Sequence, residues 1–430
     1  MFQSIEQCTD FIFKLKASEY KGEPLEAVRI ILEQLGNPQN RVKYIHFAGS
    51  NGKGSTLNAT REILMGHGLS VGAFTSPHLE RVNERITINK VQITDEQFLQ
   101  YANIISDVIQ SKLDGKFPSF FEIMTVLALL HFANGQIDVA LIETGIGGRI
   151  DSTNIIIPEI SVITTISLEH TEILGDSIEK IAYEKAGIIK DGKPVVVGVK
   201  QQEALRVIKQ KAMQSDAVIY CLNEDFHYEN IQQSFPQTFD FKSQQLTLSN
   251  IPLAMLGLHQ VENASLAIVA SKLFDRDISE NTIKQALQNA RWEGRFERVG
   301  ERIIIDGAHN SEGTAALIKT LKQVYPNKSY KFVYAALMDK DHGKSIAMMD
   351  QVASAMRFTE IPLPRAAKAD YLASQSNHPN IISNENWKQL IQDEEQNLLE
   401  NELLIITGSL YFIAEVRTYL SSFSKRLPPL

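Results

Sequence analysis

Eight consecutive residues, Gly49-Ser50-Asn51-Gly52-Lys53-Gly54-Ser55-Thr56, carry the clearest chemistry in this sequence. They stand between an apolar run, VKYIHFA (42–48), and a helix-forming segment, STLNATREILMG. Glycines let backbone N–H groups close on phosphate oxygens, and the N-terminus of a following helix adds a favourable dipole. In such loops the lysine, here Lys53, reaches the β- and γ-phosphates, and Ser55 or Thr56 supplies hydroxyls. The spacing departs from the G-x-x-x-x-G-K-[ST] pattern. The leading glycine lies closer to the lysine, and Gly54 stands where a hydroxyl residue usually follows it. A plain glycine-rich turn is the alternative, but the GKGST core between strand and helix favours phosphate binding. The departure counts against the standard motors and switches.

Three more residues close apolar runs. Glu143 ends IDVALIE (137–143), where an unpaired carboxylate is costly to bury, so a metal is its better partner. Ser76 follows LSVGAF (69–74) and precedes Pro77-His78, and His170 follows ISVITTI (160–166) with Glu169 beside it. Taken singly, a simple turn explains Ser76, and packing or capping explains His170. Magnesium takes oxygen ligands and usually keeps waters and substrate phosphates, which suits Ser76 and Glu143; a histidine ligand is less usual. Lys185 lies in IEKIAYEKAGIIK, near a helix end before Gly187. A solvated helix lysine is the plain reading. Beside a metal, its ammonium would meet a like charge costing about 4 kcal/mol per unit charge at about 4 Å, so it would have to be neutralised or converted to an anion.

The elements that must position these residues alternate β and α. The strand runs are apolar on both faces, as parallel strands covered by helices must be, which implies a doubly wound sheet. Ligands of such sheets sit beyond the carboxyl ends of the strands. Lys53, Ser76, Glu143 and His170 all fall at those ends and should meet in one crevice. Residues from about 215 to about 255 are more polar and read as a small antiparallel β excursion, before a helix at about 259–274. RWEGRFERVG (291–300) carries a break, after which RIIIDGAHN, YKFVYAALMDKD and ELLIITGSLYF each precede a helix. The expected fold is α/β: an N-terminal doubly wound P-loop-type ATPase domain with a small β excursion (1–294), plus a smaller C-terminal Rossmann-like α/β domain (295–430).

Composition agrees with this plan. A chain of 430 residues exceeds what one core usually spans. The net charge of −8 argues against a sequence-independent nucleic-acid binder. Cys8 and Cys221 are the two cysteines; they fit neither a disulfide framework nor a metal spacing and read as reduced thiols of a cytoplasmic protein. The N-terminus mixes charge through its apolar residues, unlike a signal peptide, and no uncharged apolar run is long enough to span a bilayer.

The blocks HFAGSNGKGS, TSPHLERVNERI, FFEIMTVLAL, IETGIGGRIDSTN, SLEHTEILG, IAYEKAGIIK, GLHQVENASLA, WEGRF, DGAHN and TGSLYF follow one another in an order that resembles the folylpolyglutamate synthase and dihydrofolate synthase family, within the Mur ligase superfamily. The resemblance covers nearly the whole chain. It implies an ATP-dependent ligase that adds L-glutamate to a folate through an acyl phosphate. It also implies a pair of magnesium ions and a monomer acting on small molecules, with no nucleic acid or membrane partner. Asn51, Gly52, Lys53, Gly54, Ser55 and Thr56 would form the ATP phosphate loop, with Asn263, Arg295 and Asp306 also holding ATP. Ser76, Glu143 and His170 would bind magnesium. Lys185 would be the carbamylated lysine near the second ion, an anion that removes the charge conflict. Lys53, Lys185, Glu143 and His170 make the implied catalytic set, and Ser119, Phe120, Phe121, Glu122, Ile150, Asp151 and Ser152 the pteridine-binding segments.

One departure matters. Members that also glutamylate dihydropteroate commonly carry a G-L-x-R-like element before L-G-N-P; here that stretch reads Glu23-Pro24-Leu25-Glu26-Ala27-Val28, with Ala27 near the arginine position. The departure bears on dihydrofolate synthase activity, not on polyglutamylation, and a bifunctional enzyme stays open. A Mur-type amino-acid ligase is a rival, although the loop at Gly49 leaves little room ahead of it for a nucleotide-precursor domain. A nucleotide-dependent switch is the rival from another class, and DGAHN in a second α/β domain speaks against it. Thr407-Gly408-Ser409, at a helix start, is a candidate glutamate site or a plain turn.

Overall fold

The computed structural model describes residues 2–15, 17–338 and 342–424. Asp339-Lys340-Asp341, the end of one expected strand segment, lies outside the described residues. The chain forms two compact units. One takes the chain up to Ile231 with Thr238–Leu253 and Gln260–Ala290; the other takes Gln232–Gln237, Ala254–His259 and the chain from Arg291.

The first unit is built on eight strands: β1 (Tyr44–Ala48), β2 (Val71–Phe74), β3 (Ile86–Ile88), β4 (Val91–Gln92), β5 (Val139–Glu143), β6 (Ile160–Ile163), β7 (Val195–Val197) and β8 (Ile219–Cys221). Their order is β4-β3-β2-β5-β1-β6-β7-β8. β2, β5, β1, β6, β7 and β8 run parallel, while β3 and β4 add antiparallel edges. Every residue of β1, β2, β5, β6 and β7 is buried. That is why these strands read as unbroken apolar runs: helices cover both faces. One core packs Phe98, Ile105, Leu127 and Phe132 of two helices with Phe74 and Ile142, and a second packs Ile181 and Ile208 with Ile163 and Val197.

The register decides where the site forms. β1 lies between β5 and β6, with Phe47 beside Glu143 and Ala48 beside Ile163. Their carboxyl ends therefore adjoin, as does the end of β2, where Phe74 pairs Ile142. The β excursion is a three-stranded sheet, β9 (Phe226–Gln232), β10 (Gln237–Ser243) and β11 (Thr247–Leu253). Its connections are too short for a crossover, so it is antiparallel. It starts later than expected, because Ile219–Cys221 belongs to the main sheet.

The second unit carries β12 (Glu297–Val299), β13 (Ile303–Asp306), β14 (Ser329–Tyr334), β15 (Ala353–Phe358), β16 (Ile381–Ser383) and β17 (Glu402–Thr407), ordered β12-β13-β17-β14-β15-β16. Five of them are parallel and β12 is an antiparallel edge, so the sheet is mixed. The α/β plan of both units matches the expectation from sequence. β15 and β16 had not been read there, because their short runs carry polar residues. No helix among the described residues is long and apolar enough to cross a membrane.

Candidate active site

The chain leaves β1 at Ala48 and turns through Gly49 and Gly52 into the helix Lys53–Gly66. Both glycines are required. Gly49 has φ 155° and Gly52 φ 87°, and a Cβ on Gly52 would stand 2.5 Å from Asn263 Oδ1. The first intrahelical bond runs from Thr56 N–H to the Gly52 carbonyl, so the amides of Lys53, Gly54 and Ser55 belong to the first turn, the part of a helix that receives anions. Lys53 Nζ donates to the Gly49 carbonyl at 2.8 Å, folding its ammonium back over the loop. Asn263, on the helix Leu258–Phe274, accepts from Thr56 Oγ1 at 3.2 Å and donates to Gln260 at 3.1 Å.

Glu143 is 4% exposed at the end of β5, and its Oε2 accepts the Ser76 N–H at 3.0 Å. The structure thus joins two of the three expected magnesium ligands. His170 is exposed and holds left-handed backbone (φ 46°) directly ahead of the short helix Thr171–Leu174. No group of three or more His, Cys, Asp or Glu side chains among the described residues is placed to hold a metal. The Glu143 carboxylate and the Ser76 hydroxyl are nonetheless hard oxygen groups of the kind magnesium takes.

Lys185 is 2% exposed, not solvated. Its Nζ donates to Glu169 Oε1 at 2.9 Å, across 16 residues of sequence. Burial pulls the Lys185 amine down to about 8; Glu169 opposes that shift and the nearby Lys53 charge adds to it. Burial alone would raise Glu169, but Lys185, Lys53 and the Ser50 hydroxyl override it and hold the carboxyl at about 2. Lys53, Glu169 and Lys185 therefore form one electrostatic group.

Linkage sets the pH behaviour of this group. The folded carboxyl lies below its ordinary 4.5, so its contribution is present above 4.5 and lost as pH falls toward 2. The folded amine lies below its ordinary 10.5, so the unfolded chain binds the extra proton between 8 and 10.5 and stability rises with pH there. Denaturant titrations from acid to alkaline pH should show both limbs. Glu169→Gln should reduce the acid limb by about 3 kcal/mol. An unchanged acid limb in that variant would refute the assignment.

The GIGGRIDSTN segment packs onto the helix Ile178–Ala186 that carries Lys185. A Cβ on Gly148 would stand 2.9 Å from the Glu184 carbonyl, and one on Gly187 2.4 Å from Arg149 Cα, so glycine permits the approach at both points. Arg149 N–H donates to the Glu184 carbonyl at 2.7 Å, and Asn154 Nδ2 donates to the carbonyls of Arg149 and Gly187. Asp151 is buried and accepts from the amides of Gly145, Ile146 and Thr153 and from Thr153 Oγ1. Ser152 Oγ lies 2.7 Å from Thr125 Oγ1.

Among the other expected folate residues, Ser119 and Glu122 form a capping box on the helix Phe120–Asn134. Phe120 stacks on Phe13 at 5.0 Å with Arg85 over its ring, and Phe121 stacks on Phe74. Ile150 is exposed. The polar members of this set thus hold internal partners, while the half-buried rings and Ile150 keep surface.

Arg295 and Asp306 belong to the second unit. Asp306, buried at the end of β13, accepts from the amides of Phe296 and Ala308. Burial raises its carboxyl, against Arg295 and the two amides. Thr407-Gly408-Ser409 ends β17, with Gly408 at φ 113°. Sequence reasoning missed Glu169 as the partner of Lys185, and Ser50, Thr164, Thr165 and Gln260 as supports of the loop. The only signal was position, since all but Gln260 fall at the carboxyl ends of β1 and β6.

Residues 47–271 match the family model of the Mur ligase middle domain, and residues 294–410 that of the Mur ligase glutamate ligase domain. The dihydrofolate synthase/folylpolyglutamate synthase of Bacillus subtilis is 38% identical over 98% of this chain and 100% of its own. The folylpolyglutamate synthase of Lacticaseibacillus casei is 34% identical over 91% of this chain and 92% of its own. Among solved structures, Escherichia coli FolC in complex with DHPP and ADP matches with a TM-score of 0.90 at 28% identity, over 98% of each chain.

Proposed function

This chain belongs to the Mur ligase family of folylpolyglutamate and dihydrofolate synthases, and we propose from that premise how its own residues carry the reaction. It is an ATP-dependent ligase that adds L-glutamate to folates. Forming an amide from a carboxylate and an amine in water is uphill, so the folate carboxylate takes the γ-phosphoryl group of ATP. The glutamate amine then attacks the acyl phosphate, and phosphate leaves. The support for siting this at the P-loop crevice is the register that sets the ends of β1, β2, β5 and β6 side by side.

In this reading Asn51–Thr56 cradle the triphosphate, and Lys53 neutralises the transferring phosphoryl group, the main catalytic effect in such reactions. Asn263, Arg295 and Asp306 orient the nucleotide. Ser76, Glu143 and His170 would hold magnesium, which when bound would neutralise phosphate charge. Lys185 carries a carbamate in the active enzyme. Its support is a buried amine held down to about 8, unprotonated often enough near neutrality to take up carbon dioxide. Ser119, Phe120, Phe121, Glu122, Ile150, Asp151 and Ser152 form the folate segments. Residues 1–294 serve ATP and folate, and 295–430 serve glutamate, apart from Arg295 and Asp306. We read the protein as a cytoplasmic monomer; burial pushes the thiols of Cys8 and Cys221 up, to about 12 and about 11, which suits unreactive reduced cysteines.

The acceptor is a tetrahydrofolate mono- or polyglutamate. A second reading, that dihydropteroate is also glutamylated, has its own support, because the Bacillus subtilis relative carries both names. Against it stands Ala27, buried in the N-terminal core, where an arginine could enter only with a partner for its charge. Incorporation of labelled glutamate with dihydropteroate and a reduced folate monoglutamate in parallel decides this. The expected result is ATP-dependent product with the folate alone. Product with both would make the enzyme bifunctional, and product with neither would remove the folate reading.

A further inference from the structure

The short segment that follows β6 is bonded to the phosphate loop through Thr164, Thr165 and Ser167. Thr165 Oγ1 accepts the Asn51 N–H at 2.9 Å and lies 3.1 Å from the Asn51 carbonyl oxygen, to which Thr164 Oγ1 donates at 2.6 Å. The Ser50 N–H donates to the Thr165 carbonyl at 2.8 Å, and the Ser167 N–H donates to Ser50 Oγ at 2.9 Å. A Cβ on Gly49 would stand 1.9 Å from Thr164 Oγ1, so the approach is as close as glycine allows. The amides of Ser50 and Asn51 are thus engaged by the protein itself. The first-turn amides of Lys53, Gly54 and Ser55 are left to a ligand.

We propose that Thr165, with Thr164 beside it, is a positioning residue for the nucleotide: its hydroxyl sets the curvature of the phosphate loop before ATP arrives. The inference rests on the reading of Gly49–Thr56 as the phosphate loop. The hydroxyl bridges both polar groups of one peptide residue, Asn51, at the point where the chain turns from strand to helix. Valine has the shape of threonine but can neither accept the Asn51 N–H nor donate to its carbonyl. In Thr165→Val the Asn51 N–H loses this acceptor while the carbonyl keeps only the Thr164 hydroxyl, and the empty form of the loop spreads over more conformations. Binding a triphosphate then costs the ordering that the hydroxyl now supplies in advance. Folate and glutamate make no demand on this turn, so their affinities should not follow.

The test compares Thr165→Val, Thr165→Ser and Lys53→Ala with the parent protein, by calorimetric titration with ADP and magnesium and by steady-state kinetics. Thr165→Val is expected to raise the ADP Kd and the KM for ATP about tenfold. Its kcat at saturating ATP, and its KM for folate and for glutamate, should stay within about twofold. Thr165→Ser, which keeps the hydroxyl, should stay close to the parent. Thr164→Val, which removes the other donor to Asn51, should shift the same constants in the same direction, and it serves as the readout if Thr165→Val melts below the assay temperature. If Lys53→Ala loses ADP affinity while both valine variants bind as the parent does, the positioning role is wrong and the loop reading survives. If Lys53→Ala also binds as the parent does, the loop reading fails and takes this inference with it. An equal fall in all kinetic constants, unrestored by serine, would show a merely structural residue and overturn the proposal.

Discussion

Lys53→Ala is expected to lower ATP-dependent glutamate ligation about a thousandfold, an effect of about 4 kcal/mol on the transition state. Lys53 is the first residue of the helix Lys53–Gly66 and folds back to the Gly49 carbonyl at 2.8 Å. On the proposed reading, an ammonium held over the loop would meet a triphosphate bound at the amides of the first turn. Charge that develops on the transferring phosphoryl group would meet it with no reorganisation. The fold should survive, because Lys53 gives its own loop only one hydrogen bond, worth about 1 kcal/mol. Rates of ADP release, with a melting curve on the same preparation, check both. Normal turnover by a folded variant would remove Lys53 from the chemistry.

Glu143→Ala is expected to cost about two to three orders of magnitude in rate, by loss of a magnesium ligand. The carboxylate is buried at the end of β5 with one oxygen accepting the Ser76 N–H. Alanine leaves that amide without its acceptor, at about 1–3 kcal/mol, so some loss of stability should accompany the loss of rate. Glu143→Gln separates the two effects. It keeps an acceptor for Ser76 and removes the charge, so stability should return while the rate stays low and the magnesium requirement rises. Activity measured against magnesium concentration for both variants gives the answer. A glutamine variant with parental rate and magnesium dependence would rule out a metal role for Glu143.

Both residues stand out in the sequence itself, and for a local reason. A glycine-rich turn between an apolar run and a helix has few other uses, and a carboxylate closing a strand buried on both faces has almost none. The resemblance carried by SNGKGS, GIGGRIDSTN and EKAGIIK extended this to Ser76, His170 and Lys185. The reading was weaker where partners are distant. Lys185 looked like a solvated helix lysine and is among the most deeply buried charged groups of the chain. Ile219–Cys221 was read into the β excursion, because three residues cannot declare which sheet they join.

What the sequence by itself determined is therefore the class of chemistry and the α/β alternation. Both follow from residue types at short spacing: glycines and a lysine at a helix start, and apolar periods that distinguish covered strands from surface helices. Only the tertiary structure decided who faces whom. The register of β1 against β5 and β6 brings Glu143 and the segment Thr164–Glu169 to the phosphate loop. The close packing of Gly148 and Gly187 fixes the helix end that delivers Lys185 to Glu169. It also decided that Asp151 and Ser152 have internal partners, in the amides of Gly145 and Ile146 and in Thr125. The reason is physical. A buried charge or hydroxyl is stable only beside its complement, and strand order and helix packing choose that complement from parts of the chain that no local spacing connects.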